Sequence, residues 1–161
     1  IMSKMNVNIR VPELRDIDSL AIEANNREVC EFMIDFSYPY NKEQGIAFLK
    51  YAISWFQSQT ACHFVIDYWW KAIGIIGWDI NEGDSIEIGY RIWRAYRWRG
   101  FVAIAMLHMI KFLKQVHPKI KYLLAKCNTQ NIRSKNFLIK NWFQKIKQKA
   151  NMIYFSYAIN V

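Results

Sequence analysis

The chain has 161 residues, 53% of them hydrophobic, with a mean hydropathy of −0.08. That is enough for one real core, and it excludes both a disordered chain and a mostly membrane-embedded one. Lys and Arg (22) outnumber Asp and Glu (13) to leave a net charge of +9, but the excess is one-sided. Residues 1–87 hold 7 basic and 13 acidic residues, a net of −6, whereas residues 88–161 hold 15 basic and no acidic ones, a net of +15. An anionic ligand is therefore expected on the second half.

In chain order, Val7 to Val11 alternates weakly and ends at Pro12, which predicts a first strand. Asp16 is placed to cap a helix running to about Asn25, with Leu14, Ile17, Leu20, Ala21 and Ala24 on one face. A short helical piece from Arg27 to Met33 and a turn through Ser37-Tyr38-Pro39-Tyr40 follow. Asn41 then caps a helix whose apolar positions Ile46, Phe48, Leu49, Ala52, Ile53 and Phe56 keep helical spacing. From Cys62 the period changes to that of strands. Cys62–Ile66, Ala72–Ile80 and Ser85–Ile92 predict three consecutive antiparallel strands, turning at Asp67–Lys71 and at Asn81-Glu82-Gly83-Asp84. Phe101–Val116 is an apolar helix stopped by Pro118. Tyr122–Lys126 predicts a strand, Asn131–Asn141 an amphipathic helix, and Phe143–Lys147 and Met152–Ile159 two closing strands. The order is β-α-α-β-β-β-α-β-α-β-β, without repeats or linkers. This predicts one α/β domain of the α+β kind across residues 1–161.

Several classes are disfavoured by what the chain lacks. No apolar run approaches the ~18–20 residues of a spanning helix, and the first residues lack the apolar core of a secretory signal, so a cytoplasmic protein is expected. Cys30, Cys62 and Cys127 are widely spaced and unpaired in any metal-like pattern, which predicts structural thiols and no metal. Zinc spacings, a helix-turn-helix and aromatic RNA-binding motifs are all missing, so neither nucleic acid nor a membrane is the expected partner.

Chemistry concentrates in Tyr96-Arg97-Trp98-Arg99-Gly100-Phe101. This basic turn leads into the Phe101 helix, whose unpaired first-turn N–H groups and dipole favour phosphate, to which Arg adds charge-assisted hydrogen bonds. A merely solvated basic turn is the other reading.

The order of elements and a set of short motifs identify what the chain is similar to. Ala24-Asn25-Asn26-Arg27-Glu28-Val29, Asp35 to Tyr40, Ile73-Gly74-Ile75-Ile76-Gly77, Ile86-Glu87-Ile88-Gly89-Tyr90, Arg97 to Val102, Asn131-Ile132-Arg133-Ser134 and Trp142-Phe143 follow one another with fitting gaps. In these the chain resembles the GNAT superfamily of N-acetyltransferases, and within it the ribosomal-protein N-acetyltransferase branch. The resemblance implies a mixed, mostly antiparallel central sheet flanked by helices. It also implies transfer of acetyl from acetyl-CoA to a primary amine, either a protein N-terminus or a small molecule, by direct attack, in a monomer or homodimer. It would place the pantetheine arm along Ile92 and Trp93, and the pyrophosphate on Arg97, Trp98, Arg99, Gly100, Phe101 and Val102. Asn131 would bond the cofactor arm, with a simple helix cap as the alternative. Glu87 would be the base, or else a structural carboxylate. Ser134 or an ordered water would protonate the leaving thiolate, because Leu138 stands where many members carry a Tyr acid. His63, His108 and His117 match no site of the family. The acceptor pocket would be built by Asn25–Tyr40 and the C-terminal strands.

The chain departs from that pattern in one consistent way. Trp69, Trp70, Trp93, Trp98 and Trp142 stand where glycine is ordinary, and the chain has 6 Gly where average usage gives about 11. Glycine permits positive φ and close backbone approach, and tryptophan permits neither. Two explanations are open: these tryptophans are UGA codons that the source reads as glycine, or the enzyme has diverged. Val102 in place of Gly or Ala is a separate departure that crowds the pyrophosphate. With Trp98 and Leu138, it motivates a different class of function, a non-catalytic acyl-CoA-binding or regulatory module.

Overall fold

The computed structural model describes residues 6–27, 39–58, 60–80 and 83–159. The predicted piece from Arg27 to Met33 and the Ser37-Tyr38 and Asn81-Glu82 turn residues lie wholly or mostly outside that set, as does Cys30. Seven strands form one sheet: β1 (Val7–Arg10), β2 (Ala61–Tyr68), β3 (Lys71–Ile80), β4 (Ser85–Ile92), β5 (Tyr122–Asn128), β6 (Gln144–Lys149) and β7 (Met152–Ala158). Among the described residues the helices are α1 (Ile17–Ala24), α2 (Lys42–Ser58), α3 (Phe101–Val116) and α4 (Ile132–Lys140), in the expected order.

Across the sheet the strands run β1-β2-β3-β4-β5-β7-β6, and every neighbour is antiparallel except β4 and β5. β2 and β3 are buried almost end to end, the pattern of strands covered on both faces. Successive side chains of a strand point to opposite faces, and β2 shows what covers each. His63 meets the rings of Phe48 and Trp55 on α2, at centroid distances of 6.0 and 5.2 Å. Phe64 meets Phe112 of α3 edge-on at 5.6 Å. Helix α3 lies along β1 to β4, and its buried Phe101, Ala105, Met106, Met109 and Leu113 repeat at helical spacing.

The parallel pair is short. β4 and β5 are in register only at Ser85↔Tyr122, Ile86↔Leu123 and Glu87↔Leu124. Beyond Glu87, β4 continues to Ile92 along β3 while β5 continues to Asn128 along β7. The two strands splay, and the sheet is open between them on the side toward the start of α3.

A buried ion cluster ties the first strand to the sheet. The Arg10 guanidinium donates to both Asp16 oxygens at 2.7 and 2.8 Å and, through Nε, to Asp67 Oδ2 at 2.7 Å. Asp16 and Asp67 are the buried acidic residues among those described. Burial pulls the Asp16 carboxyl upward, but hydrogen bonds from Arg10 and from the Glu13 N–H outweigh it, and the group sits below the usual carboxylate range.

Candidate active site

The splay opens a cleft of about 470 Å³ between the end of β4, the loop before α3 and the first turns of α4. Among the described residues, Arg91, Arg97, Arg99, Arg133 and Lys140 line it, and no carboxylate does. Of the residues singled out from the sequence, it brings together Ile92, Arg97, Trp98, Arg99, Gly100, Phe101, Val102, Asn131 and Ser134. Trp93 and Glu87 are not part of its lining.

The basic turn is built by local geometry. Arg94–Tyr96 is a 3₁₀ turn, Arg97 is extended at φ −65° and ψ 157°, and Gly100 caps α3 at φ 76°. The first backbone bond into α3 is donated by Ile104 to Gly100 at 3.2 Å. The N–H groups of the first turn therefore have no partner within the helix, and the residues that carry them, Phe101 to Ala103, line the cleft. Two Arg, Arg97 and Arg99, stand at this positive helix end.

The backbone of β4 has two edges. Trp93 donates its N–H to Ile73 at 2.8 Å, and its carbonyl accepts from Tyr96 at 2.9 Å, so both its groups are committed away from the cleft. Its side chain is buried, with the Arg91 guanidinium 5.1 Å from the ring. Backbone groups alternate in direction along a strand, so Ile92, one residue earlier, turns its amide and carbonyl toward the splay. Of the pair expected to hold a ligand arm, the open edge belongs to Ile92.

On the other side of the cleft, Asn131 caps α4 by accepting from Ser134 N–H at 3.1 Å, the cap arrangement of the two readings. The Ser134 hydroxyl lies 2.9 Å from Tyr90 Oη. It also bonds the buried Cys127 thiol, which burial pushes up in pKa. Burial likewise pushes the Tyr90 hydroxyl far above its ordinary value, and the Ser134 bond only partly opposes this. Tyr90 thus stays protonated and shares a hydrogen bond with the Ser134 hydroxyl.

Tyr90 was not among the candidates from the sequence, and neither were Arg91 and Arg133, which also line the cleft. The signal for Tyr90 was present: it shares the face of Ile86 and Ile88, where a hydroxyl needs a partner. Leu138 is fully buried, so core packing fills that position, and the hydroxyls of the cleft come from Tyr90 on the strand and Ser134 on α4.

Glu87 is the last β4 residue in register with β5. Ile86 and Ile88 are buried, so period-two alternation turns Glu87 to the opposite face. Its carboxylate is paired with Lys126 Nζ at 2.8 Å, both side chains about one-third exposed at 35%. No acid follows it in the sequence.

The profile of the acetyltransferase (GNAT) domain family matches residues 6–144. The chain belongs to this family. It is a GNAT acetyltransferase, with acetyl-CoA as its co-substrate and N-acetyl transfer as its reaction. Solved structures share the fold at low sequence identity. The ribosomal L7/L12 α-N-protein acetyltransferase RimL, in complex with coenzyme A, superposes with a TM-score of 0.83 at 14% identity, over 99% of this chain and 97% of that one. The microcin C7 self-immunity acetyltransferase MccE, in complex with acetyl-CoA and AMP, gives 0.79 at 19% identity, over 95% and 92%. The ribosomal-protein-S5-alanine acetyltransferase from Vibrio fischeri gives 0.77 at 17%, over 93% and 91%. No curated protein sequence matches the chain. Among the described residues, this GNAT domain has no helix long and apolar enough to cross a membrane, and no group of three or more His, Cys, Asp or Glu poised for a metal.

Proposed function

We propose that the cleft between β4 and β5 holds acetyl-CoA with its phosphates at the α3 N-terminus, and that a primary amine reaches the thioester from the Glu87 face. One observation carries this reading. The cleft opens where β4 and β5 part after Glu87, among the described residues it is lined by five cations and no acid, and it ends on the Tyr90–Ser134 hydroxyl pair.

In this arrangement Arg97, Arg99 and the N–H groups of Gly100 to Val102 meet the pyrophosphate, with Trp98 on the same loop. Ile92 offers its amide and carbonyl to the pantetheine amides, and Asn131 borders the same channel. An amine attacks only when unprotonated, so its ammonium must lose a proton first; Glu87, through water, accepts it. The nitrogen lone pair then adds to the thioester carbonyl, the C–S bond breaks, the nitrogen gives up its second proton, and the departing thiolate takes a proton from Ser134, which recovers one from water while Tyr90 holds its hydroxyl in place. The acceptor is a protein N-terminus or a small-molecule amine, and the setting is the cytoplasm, where acetyl-CoA is made and used. The acceptor pocket is assigned to Asn25–Tyr40, most of which lies outside the described residues, and to the C-terminal strands; the single domain spans residues 1–161.

The test is calorimetry with CoA followed by thiol release from acetyl-CoA against N-terminal peptides and small amines. Binding with turnover supports the reading. Binding without turnover on any amine identifies a non-catalytic module instead, and no binding removes the reading altogether. Two variants sharpen it. Arg99→Ala weakens CoA about tenfold and flattens the salt dependence of binding, since one charge-assisted hydrogen bond of ~1.5 kcal/mol is lost. Tyr90→Phe lowers kcat about tenfold with KM for acetyl-CoA unchanged, the worth of one ~1.4 kcal/mol hydrogen bond in the transition state.

A further inference from the structure

The seven tryptophans fall into two groups. Trp55, Trp78 and Trp93 are packed: Trp55 stacks on Tyr51 at 5.4 Å, Trp78 is fully buried, and Trp93 is 3% exposed. Trp69, Trp70, Trp98 and Trp142 are 63, 76, 83 and 82% exposed. These same four have φ of 53°, 65°, 66° and 68°. A bulky residue at positive φ is a genuine outlier, and Asn, Asp and Gly supply that conformation almost everywhere. At these exposures the indoles make little packing that would offset the strain: Trp69 meets the Tyr68 ring edge-on at 6.4 Å.

Each of the four positions has a backbone that asks for glycine for its own reason. Trp69 and Trp70 are the two central residues of the β2–β3 hairpin, closed by the Tyr68↔Lys71 pair. A two-residue hairpin with positive φ at both central positions is the I′ type, the domain of Asn-Gly and Gly-Gly. Trp142 follows the last turn of α4. Its N–H donates to Ile139 at 3.2 Å, and the next N–H, that of Phe143, donates to Leu138 at 3.0 Å. That bonding pair is the Schellman motif, whose left-handed position is usually glycine. Trp98 lies in the turn that meets the phosphates, where a side chain stands between backbone and ligand.

We infer that positions 69, 70, 98 and 142 carry glycine in the protein as its source makes it, entered at UGA codons, and that the phosphate loop is completed by glycine at 98. The inference accounts for why the misfit residue is tryptophan at all four sites. UGA and UGG differ in one base, and a translation that reads UGA as tryptophan places it wherever the source uses UGA for glycine. Four replacements bring the 6 glycines to ten, close to the roughly 11 of average usage. Positive φ alone is not the criterion: Ala150, at 50°, shares the geometry and has no UGA explanation. Trp93 corrects the expectation from the sequence. At φ −61° and ψ 144° its backbone admits any residue, so it stands outside the inference.

The codons decide it, independently of whether the enzyme turns over. UGA at 69, 70, 98 and 142 with UGG at 55 and 78 is expected, together with glycine in peptides of the protein isolated from its source. UGG at the four codons, or tryptophan in those peptides, overturns it. A second measurement uses protein made in a standard host. The fourfold Trp→Gly variant is expected to melt about 10 °C higher than the tryptophan form, from relief of four left-handed residues. Trp98→Gly alone is expected to bind CoA more tightly. An unchanged or lower melting temperature in the fourfold variant counts against the inference.

Discussion

Exchanging Glu87 for Gln lowers kcat about 10²-fold or more, the usual worth of a positioned base, while the Kd for CoA stays within twofold of the parent. Glu87 lies outside the cleft lining and on the opposite face from Ile86 and Ile88, so its loss leaves the cofactor site intact. The amine must then shed its proton to bulk water, and the defect shrinks as pH rises toward the pKa of the amine. A purely structural Glu87, held by Lys126 at 2.8 Å, gives a different result. Gln would lower Tm slightly with no steep change of rate and no pH-dependent recovery. Steady-state rates from pH 6 to 10, beside a melting curve, separate the two.

The second large effect is on stability. Asp16→Asn costs about 3 kcal/mol, the scale of breaking a buried ion pair by removing one partner, or roughly 6–12 °C in Tm for a chain of this size. Arg10 then faces the interior with one of its two buried carboxylates gone, and Asn offers one oxygen where the Arg10 fork and the Glu13 N–H now share two. The sign with pH follows from the direction of the shift. Asp16 is held below its unfolded value, so its contribution is fully present above that value, about 3.9, and is lost as pH falls through the lower folded value. Asp16→Asn should therefore lose stability at pH 7 and show a flatter decline in acid than the parent. Parallel acid and thermal melts of the two proteins check both. An Asp16→Asn variant as stable as the parent at pH 7 would remove the cluster from the account of the fold.

Much of this protein was legible as a line of residues. Hydrophobic period alone marked the strand-helix order, because a strand and a helix bury their apolar faces with different spacing whatever surrounds them. The basic turn ending at Gly100, the Asn131 cap and the glycine deficit were readable because they depend on neighbours within a few positions. Tyr90 was not. Its chemistry depends on a hydroxyl 44 positions away, Ser134, reached only when β4 and α4 come together at the splay. The choice between Ile92 and Trp93 was equally out of reach, since it is decided by which edge of β4 the partner β3 occupies.

The sequence by itself determined the element order, the membership of the family and the basic turn at which we propose an anion is held, since each rests on local pattern. Tertiary structure decided which groups share the cleft, because registers set where β4 and β5 part. It also sorted the tryptophans into three that pack and four that stand in solvent at positive φ. Backbone angles and burial are properties of the folded chain. A string of letters carries neither.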